Sequence, residues 1–143
     1  MKPNIMFVDD SISVLECIPW LFKGEPYYIF TLDNPLDALN VIKTLEWAVV
    51  VAERYMRNMD GLEFLKKFKD ISPHTMGIIM SGYDEFTEPL DILYPECVYR
   101  FVKKPLDNVE IKHAVSDAVT YYNKMQAAKG YAIKNETQRT NLI

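Results

Sequence analysis

Three carboxylates, a hydroxyl and a lysine stand at the ends of short apolar runs. Asp9-Asp10 follow Ile5-Met6-Phe7-Val8, Glu53 follows Val49-Val50-Val51-Ala52, Ser81 follows Ile78-Ile79-Met80, and Lys104 precedes Pro105. Such runs read as buried strands. A charge where a buried strand emerges points to pairing or to chemistry, because burying it without a partner is expensive. Carboxylates gathered on one rim repel, and at least one pKa rises unless a cation compensates. A hard divalent ion such as Mg²⁺, taking oxygen ligands, is one such cation. Lys104 is the other, and it needs no metal.

Hydrophobic patterning supplies the elements that would position these residues. Residues 5–8 form a first strand, and Ser11 caps a helix carrying Ile12, Leu15, Ile18 and Phe22 on one face. Pro19 bends that helix or ends its regular part. Gly24-Glu25-Pro26 breaks the chain before a second strand over residues 27–32. Asn34-Pro35 is an N-cap followed by proline at the first helical position, opening a helix lined by Ala38, Leu39, Ile42 and Leu45. Strand three covers 47–52. Helix three begins near Gly61, buries Leu62, Leu65 and Phe68, and leaves Lys66, Lys67 and Lys69 in solvent.

Strand four covers 77–80, and a short helix over 84–93 is weakened by Pro89. Strand five covers 98–103. Asp107 or Asn108 caps the last helix, where Ile111, Ala114, Val115, Ala118, Val119, Tyr122 and Met125 recur at helical spacing. After Gly130 the run YAIKNETQRTNLI is polar and unpatterned. Residues 1–128 are thus expected to form one domain, and 129–143 a helix extension, tail or linker. Five strands alternating with five helices imply an α/β domain with a doubly wound parallel sheet. Sites in such sheets form at the carboxyl ends of the strands, near a topological switch point, which is where the charged residues fall.

At 143 residues the chain suffices for one domain with a real core. A net charge of -4 argues against a nucleic-acid-binding face, and no basic helix-turn-helix follows residue 130. Cys17 and Cys97 are too few for a disulfide framework and read as buried thiols. His74 and His113 read as solvated surface, and with no cysteine cluster a structural zinc site has no support. No apolar run reaches membrane-spanning length, and MKPNIMFVDD has too short an apolar stretch for a signal peptide. A cytoplasmic protein is expected.

Taken in order, VDDS, the strand-three acid with MDG downstream, MSGY and RFVKKP make the chain resemble the receiver domain of bacterial response regulators, over residues 3–128. The run VYRFVKKPLDNVEIKHAV is similar to receivers beside cyclic-dinucleotide-hydrolysing or similar output domains. The resemblance implies a flavodoxin-like fold in which a strand-three aspartate takes a phosphoryl group from a histidine kinase. Counting back seven from Asp60, that position here is Glu53, a departure from the pattern. Carried over residue by residue, Mg²⁺ would be held by Asp9 and Asp10, with Asp10 the direct ligand, by Glu53, and by the backbone carbonyl of Tyr55. Ser81 would follow the phosphoryl group, Lys104 would pair with it, and Phe101 would reorient. Tyr94, Tyr99, Phe101 and Lys103 would gather on the face of the fourth helix, fifth strand and fifth helix, the family's usual partner or dimer surface. Arg57 stands where proline is usual and Gly82 where alanine is common. A cis bond is implied before Pro105.

Glutamate carries one methylene more than aspartate, and a misplacement of about 1 Å can cost ~100-fold in phosphoryl transfer. The resemblance with this substitution points to a two-component receiver module acting by protein–protein interaction without phosphorylation, and not to an enzyme. A kinase, an output protein or a second copy would be the partner. The alternative is a working phosphoacceptor with Mg²⁺-dependent transfer from a histidine kinase. Flavin or nucleotide binding on the same sheet would want a phosphate-cradling loop after strand one, whereas Asp9-Asp10 repel phosphate.

Overall fold

The computed structural model describes residues 2–82 and 96–141, with side chains through residue 130. Five parallel strands, β1 (Asn4–Val8), β2 (Tyr28–Leu32), β3 (Trp47–Glu53), β4 (Met76–Gly82) and β5 (Arg100–Lys104), lie in the order β2-β1-β3-β4-β5. Four α-helices occur among the described residues: α1 (Ile12–Leu21), α2 (Pro35–Val41), α3 (Gly61–Ile71) and α4 (Asn108–Asn141). The helix expected over 84–93, with Pro89 and Tyr94, lies outside the described residues. The strand order reverses between β1 and β3, placing the switch point at Asp9, Asp10 and Glu53.

Side chains alternate across the sheet, so each central strand feeds two cores. On one face Ile5, Phe7, Val49, Val51, Ile78 and Met80 pack against Ile18 of α1 and Ile111, Ala114, Val115 and Ala118 of α4. On the other, Met6, Val8, Val50, Ala52 and Ile79 pack against Ala38 of α2 and Leu62, Phe64, Leu65 and Phe68 of α3. This is the doubly wound arrangement that the continuous apolar runs predict. β2 pairs only with β1 and sits at the edge, so Tyr28, Phe30 and Thr31 stay exposed.

The helix starts follow local chemistry. Asn34 caps α2 by accepting from the Leu36 N–H at 2.9 Å, and Asp107 caps α4 by accepting from Val109 and Glu110. Ser11 differs from expectation: it holds the N-cap position of α1 without a side-chain cap bond, and its hydroxyl meets that of Ser13. The helix runs through Pro19 to Leu21, and Gly24 then turns the chain with a positive φ of 85°.

Several single residues depart from their helical pattern. Ile12, the first residue of α1, is 63% exposed. Leu45 is exposed, because α2 tightens into a 3₁₀ turn at Ile42–Thr44 and leaves its stripe. Phe64 joins the buried face of α3, and Lys69 is half-buried. Cys17 is exposed on the outward side of α1 and Cys97 is half-buried, so neither is a fully buried thiol. Beyond Tyr122, α4 runs off the sheet, which leaves Met125 exposed. Its backbone stays helical to Asn141, through the stretch whose polar composition carries no helical stripe.

The junction from β3 to α3 is the tightest backbone approach at the site end of the sheet. Asp60 caps α3 by accepting from Leu62 N–H at 2.8 Å, and Gly61 N–H donates to the Arg54 carbonyl at 2.6 Å. A methyl at Gly61 would overlap the Glu53 carbonyl oxygen and press on Arg54 Cα at 3.0 Å. Glycine is required there by space and not by φ. Gly61→Ala is therefore expected to lower unfolding free energy by roughly 1–3 kcal/mol, read from the urea midpoint. An unchanged midpoint would mean that the junction opens at no cost.

Candidate functional site

Parallel register brings the strand ends level. Val8 pairs with Ala52, Glu53 with Met80, Ser81 with Lys103 and Gly82 with Lys104. Asp9, Asp10, Glu53, Ser81 and Lys104 thereby meet at one rim, as their positions after apolar runs predict. Asp9 and Ser81 are fully buried and Glu53 is only 6% exposed. The Lys104–Pro105 peptide bond is cis.

Lys104 organises the rim. Its Nζ donates to Asp9 Oδ2 at 2.5 Å and lies 2.5 Å from Glu53 Oε2. The second contact is an ion pair with angles outside hydrogen bonding, since Glu53 Oε2 has no hydrogen-bond partner among the described residues. The remaining oxygens meet backbone amides. Asp9 Oδ1 accepts from Ser11 N–H at 2.8 Å, and Glu53 Oε1 from Tyr55 N–H at 3.4 Å. Asp10 is engaged elsewhere: its Oδ2 accepts from the Arg57 backbone N–H at 3.0 Å and lies 3.7 Å from the Arg57 guanidinium.

Of the two ways to neutralise clustered carboxylates, this arrangement matches the lysine. Of the expected Mg²⁺ ligands, Asp9 and Glu53 face Lys104 and Asp10 faces Arg57. Among the described residues no group of three His, Cys, Asp or Glu side chains converges closely enough to hold a metal ion.

The aromatic residues divide. Phe101 is partly buried and packs against the core cluster beside α3, so it does not join Tyr99 on a common outer face. Tyr99 is exposed, with its ring centroid 5.8 Å from that of Tyr121 on α4. The neighbouring Arg100 Nη2 bonds Asp117 Oδ2 at 2.7 Å and ties β5 to α4. His113 and His74 are surface residues, His74 within 2.9 Å of Lys129 Nζ.

Arg54 is the site residue that patterning misses. Its side chain is only 11% exposed, its Nε lies 3.6 Å from Asp60 Oδ1, and its guanidinium sits 4.9 Å from the Tyr55 ring centroid. The available signal is the adjacent pair of opposite charges, Glu53-Arg54, closing an apolar run.

The chain matches the response regulator receiver domain family over residues 5–116. It is 30% identical over 115 residues to sporulation initiation phosphotransferase F of Bacillus subtilis strain 168, covering 80% of this chain and 92% of that protein. It is 28% identical over 118 residues to the transcriptional regulatory protein ZraR of Klebsiella oxytoca, covering 82% of this chain and 26% of ZraR. The chain thus spans about a quarter of ZraR and nearly all of the phosphotransferase. Among solved structures, an adenylate cyclase from Rhodopirellula baltica superposes with a TM-score of 0.86 at 24% identity, covering 94% of this chain and 99% of that one. The signal receiver domain of an HD domain-containing protein from Pseudomonas fluorescens Pf-5 gives 0.79 at 23% identity, covering 88% and 93%. At these identities the two structures share the fold.

Burial pushes the Glu53 carboxyl above its usual 4.5, outweighing the pull of Lys104, and neighbouring Asp9 adds to the rise. For Lys104 burial acts against the charge, but the bond to Asp9 and the contact with Glu53 outweigh it and hold the ammonium above 10.5. Glu53 and Asp9 compete for one lysine, so the lysine gains what Glu53 does not recover. A carboxyl whose pKa rises on folding binds its proton more tightly in the folded chain. Its contribution to stability is fully present below pH 4.5 and is lost as pH climbs through the raised folded value. Glu53→Gln removes this titration and leaves Lys104 its bond to Asp9. Its Tm is expected to match the native chain near pH 4 and to exceed it at pH 7 by a few degrees, about 1 kcal/mol. A lower Tm at pH 7 would show that the pair with Lys104 outweighs the burial of its charge.

Proposed function

This chain belongs to the response regulator receiver domain family, and we propose that it is a receiver that signals without phosphoryl transfer. Receiver domains work in two-component signalling, where they interact with histidine kinases and effector domains. In our reading Glu53 takes the phosphoacceptor's place, and residues 1–128 act as a protein-interaction module with no catalysis of their own. Helix α4 extends it to Asn141. The module acts in the cytoplasm, on a kinase or an effector.

The observation that carries this reading is the position of Lys104, 2.5 Å from Glu53 Oε2 while it bonds Asp9. In-line phosphoryl transfer needs a carboxylate oxygen free to attack, held in line with the leaving group. Here one oxygen of Glu53 lies against the ammonium and the other accepts from the Tyr55 amide. The longer side chain reaches its counter-ion and stays there. Ser81 and Lys104 therefore keep one arrangement with no phosphoryl group to follow, and Phe101 keeps its place in the core.

A constant state suits a surface read by its shape. The area around β5 and α4, with exposed Tyr99 and Tyr121 and the Arg100–Asp117 bridge, is the surface we assign to a partner or a second copy.

Intact mass after incubation with acetyl phosphate and Mg²⁺ tests the proposal. The native chain is expected to keep its unmodified mass, with the same far-ultraviolet and tyrosine spectra before and after. A phosphoryl adduct that maps to Glu53 would sink the reading and restore Mg²⁺-dependent transfer from a kinase.

A further inference from the structure

We infer that the acidic pocket is built to do without a divalent cation, because Lys104 and the backbone amide of Arg57 together occupy the carboxylates that would bind one. The inference rests on the placing of Glu53 given above and goes beyond it to the metal.

Each carboxylate has a partner from within the chain. Asp9 uses Oδ1 on the Ser11 amide and Oδ2 on Lys104. Glu53 uses Oε1 on the Tyr55 amide and Oε2 on Lys104. Asp10 is held by the Arg57 amide, with the guanidinium nearby. Lys104 lies between Asp9 and Glu53, so a divalent ion would have to share their oxygens with an ammonium already there. Mg²⁺ would also have to displace the ammonium, since two cations on the same pair of oxygens repel strongly where solvent is scarce. Mg²⁺ gives up its water reluctantly and does not accept a distorted shell in return.

Two residues create this closure, and they act on different carboxylates. Glu53 meets Lys104 through a side chain one methylene longer than that of aspartate. Arg57 supplies an N–H to Asp10, and the residue that cannot do so is proline, which has none. Residue 57 thus decides whether Asp10 is available, through its backbone and not mainly through its charge. The guanidinium is almost wholly in water and contributes little.

Titration of the full chain with Mg²⁺, followed by calorimetry and by thermal unfolding, tests this, with Mn²⁺ as a second probe. The native chain is expected to show no saturable heat and no rise in Tm at the rim. Glu53→Asp/Arg57→Pro frees both carboxylates and is expected to bind Mg²⁺ roughly 10- to 100-fold more tightly than the native chain. Arg57→Ala, which keeps the amide, is expected to behave as native. Saturable native binding that Asp10→Asn abolishes would overturn the inference. So would a double variant that is folded by circular dichroism yet binds no better than native. If the double variant does not fold, the native and Asp10→Asn titrations decide alone. No phosphoryl donor is present, so this result and the mass measurement can fail separately.

Discussion

One ammonium group holds together the ends of three strands. Lys104 enters from β5 and touches Asp9 after β1 and Glu53 at the end of β3, two carboxylates that would otherwise repel across a buried rim. The contact spans almost the whole sequence, joining residues 95 positions apart. Neither carboxylate could be so buried without it, because the cost of an unpaired buried charge exceeds what local packing returns. The lysine in turn remains protonated because it has two acids and not one. Burial explains why Glu53 carries a raised pKa even while paired, and the neighbouring Asp9 adds to the rise.

The sheet makes the contact possible. Parallel strands in register bring their carboxyl ends to one rim, and the reversal of strand order beside β1 opens the space into which they point. The junction after β3 closes that rim from one side. Asp60 caps α3, Gly61 lets the helix start against the Glu53 carbonyl, and Arg54 stacks on Tyr55 above it. The MDG stretch is therefore structural in origin. It presses the β3–α3 loop against the strand and so fixes the backbone from which Tyr55 and Arg57 donate.

A receiver that takes phosphate needs a vacant oxygen and a cation to draw charge from the phosphoryl group. In this rim Lys104 lies between Asp9 and Glu53, and the cations are side chains. The two features agree with each other. A clamped carboxylate makes a poor acceptor, and a lysine between the acids leaves a metal little to gain. A module with such a rim would present a constant surface, with β5 and α4 locked by Arg100 and Asp117.

The order of elements, the parallel sheet and the rim residues were legible in the sequence, because buried strands are continuous apolar runs and strand ends carry the charges. Asp9, Glu53, Ser81 and Lys104 could be named from that pattern alone. That Glu53 would stand at the phosphoacceptor position is what the resemblance to receivers implies, not what the pattern of the residues shows. Other features required the fold. That Lys104 meets both acids depends on a register between strands far apart in the chain, and hydrophobic periodicity carries no information on register. That Arg57 holds Asp10 is a backbone hydrogen bond, which is silent in side-chain identity. Leu45 and Ile12 left their predicted stripes at a 3₁₀ turn and at a helix end, where the helical period does not hold. The sequence determined which groups could do chemistry. The tertiary structure decided which of them are free to do it, because in a buried rim each charge must first find its partner.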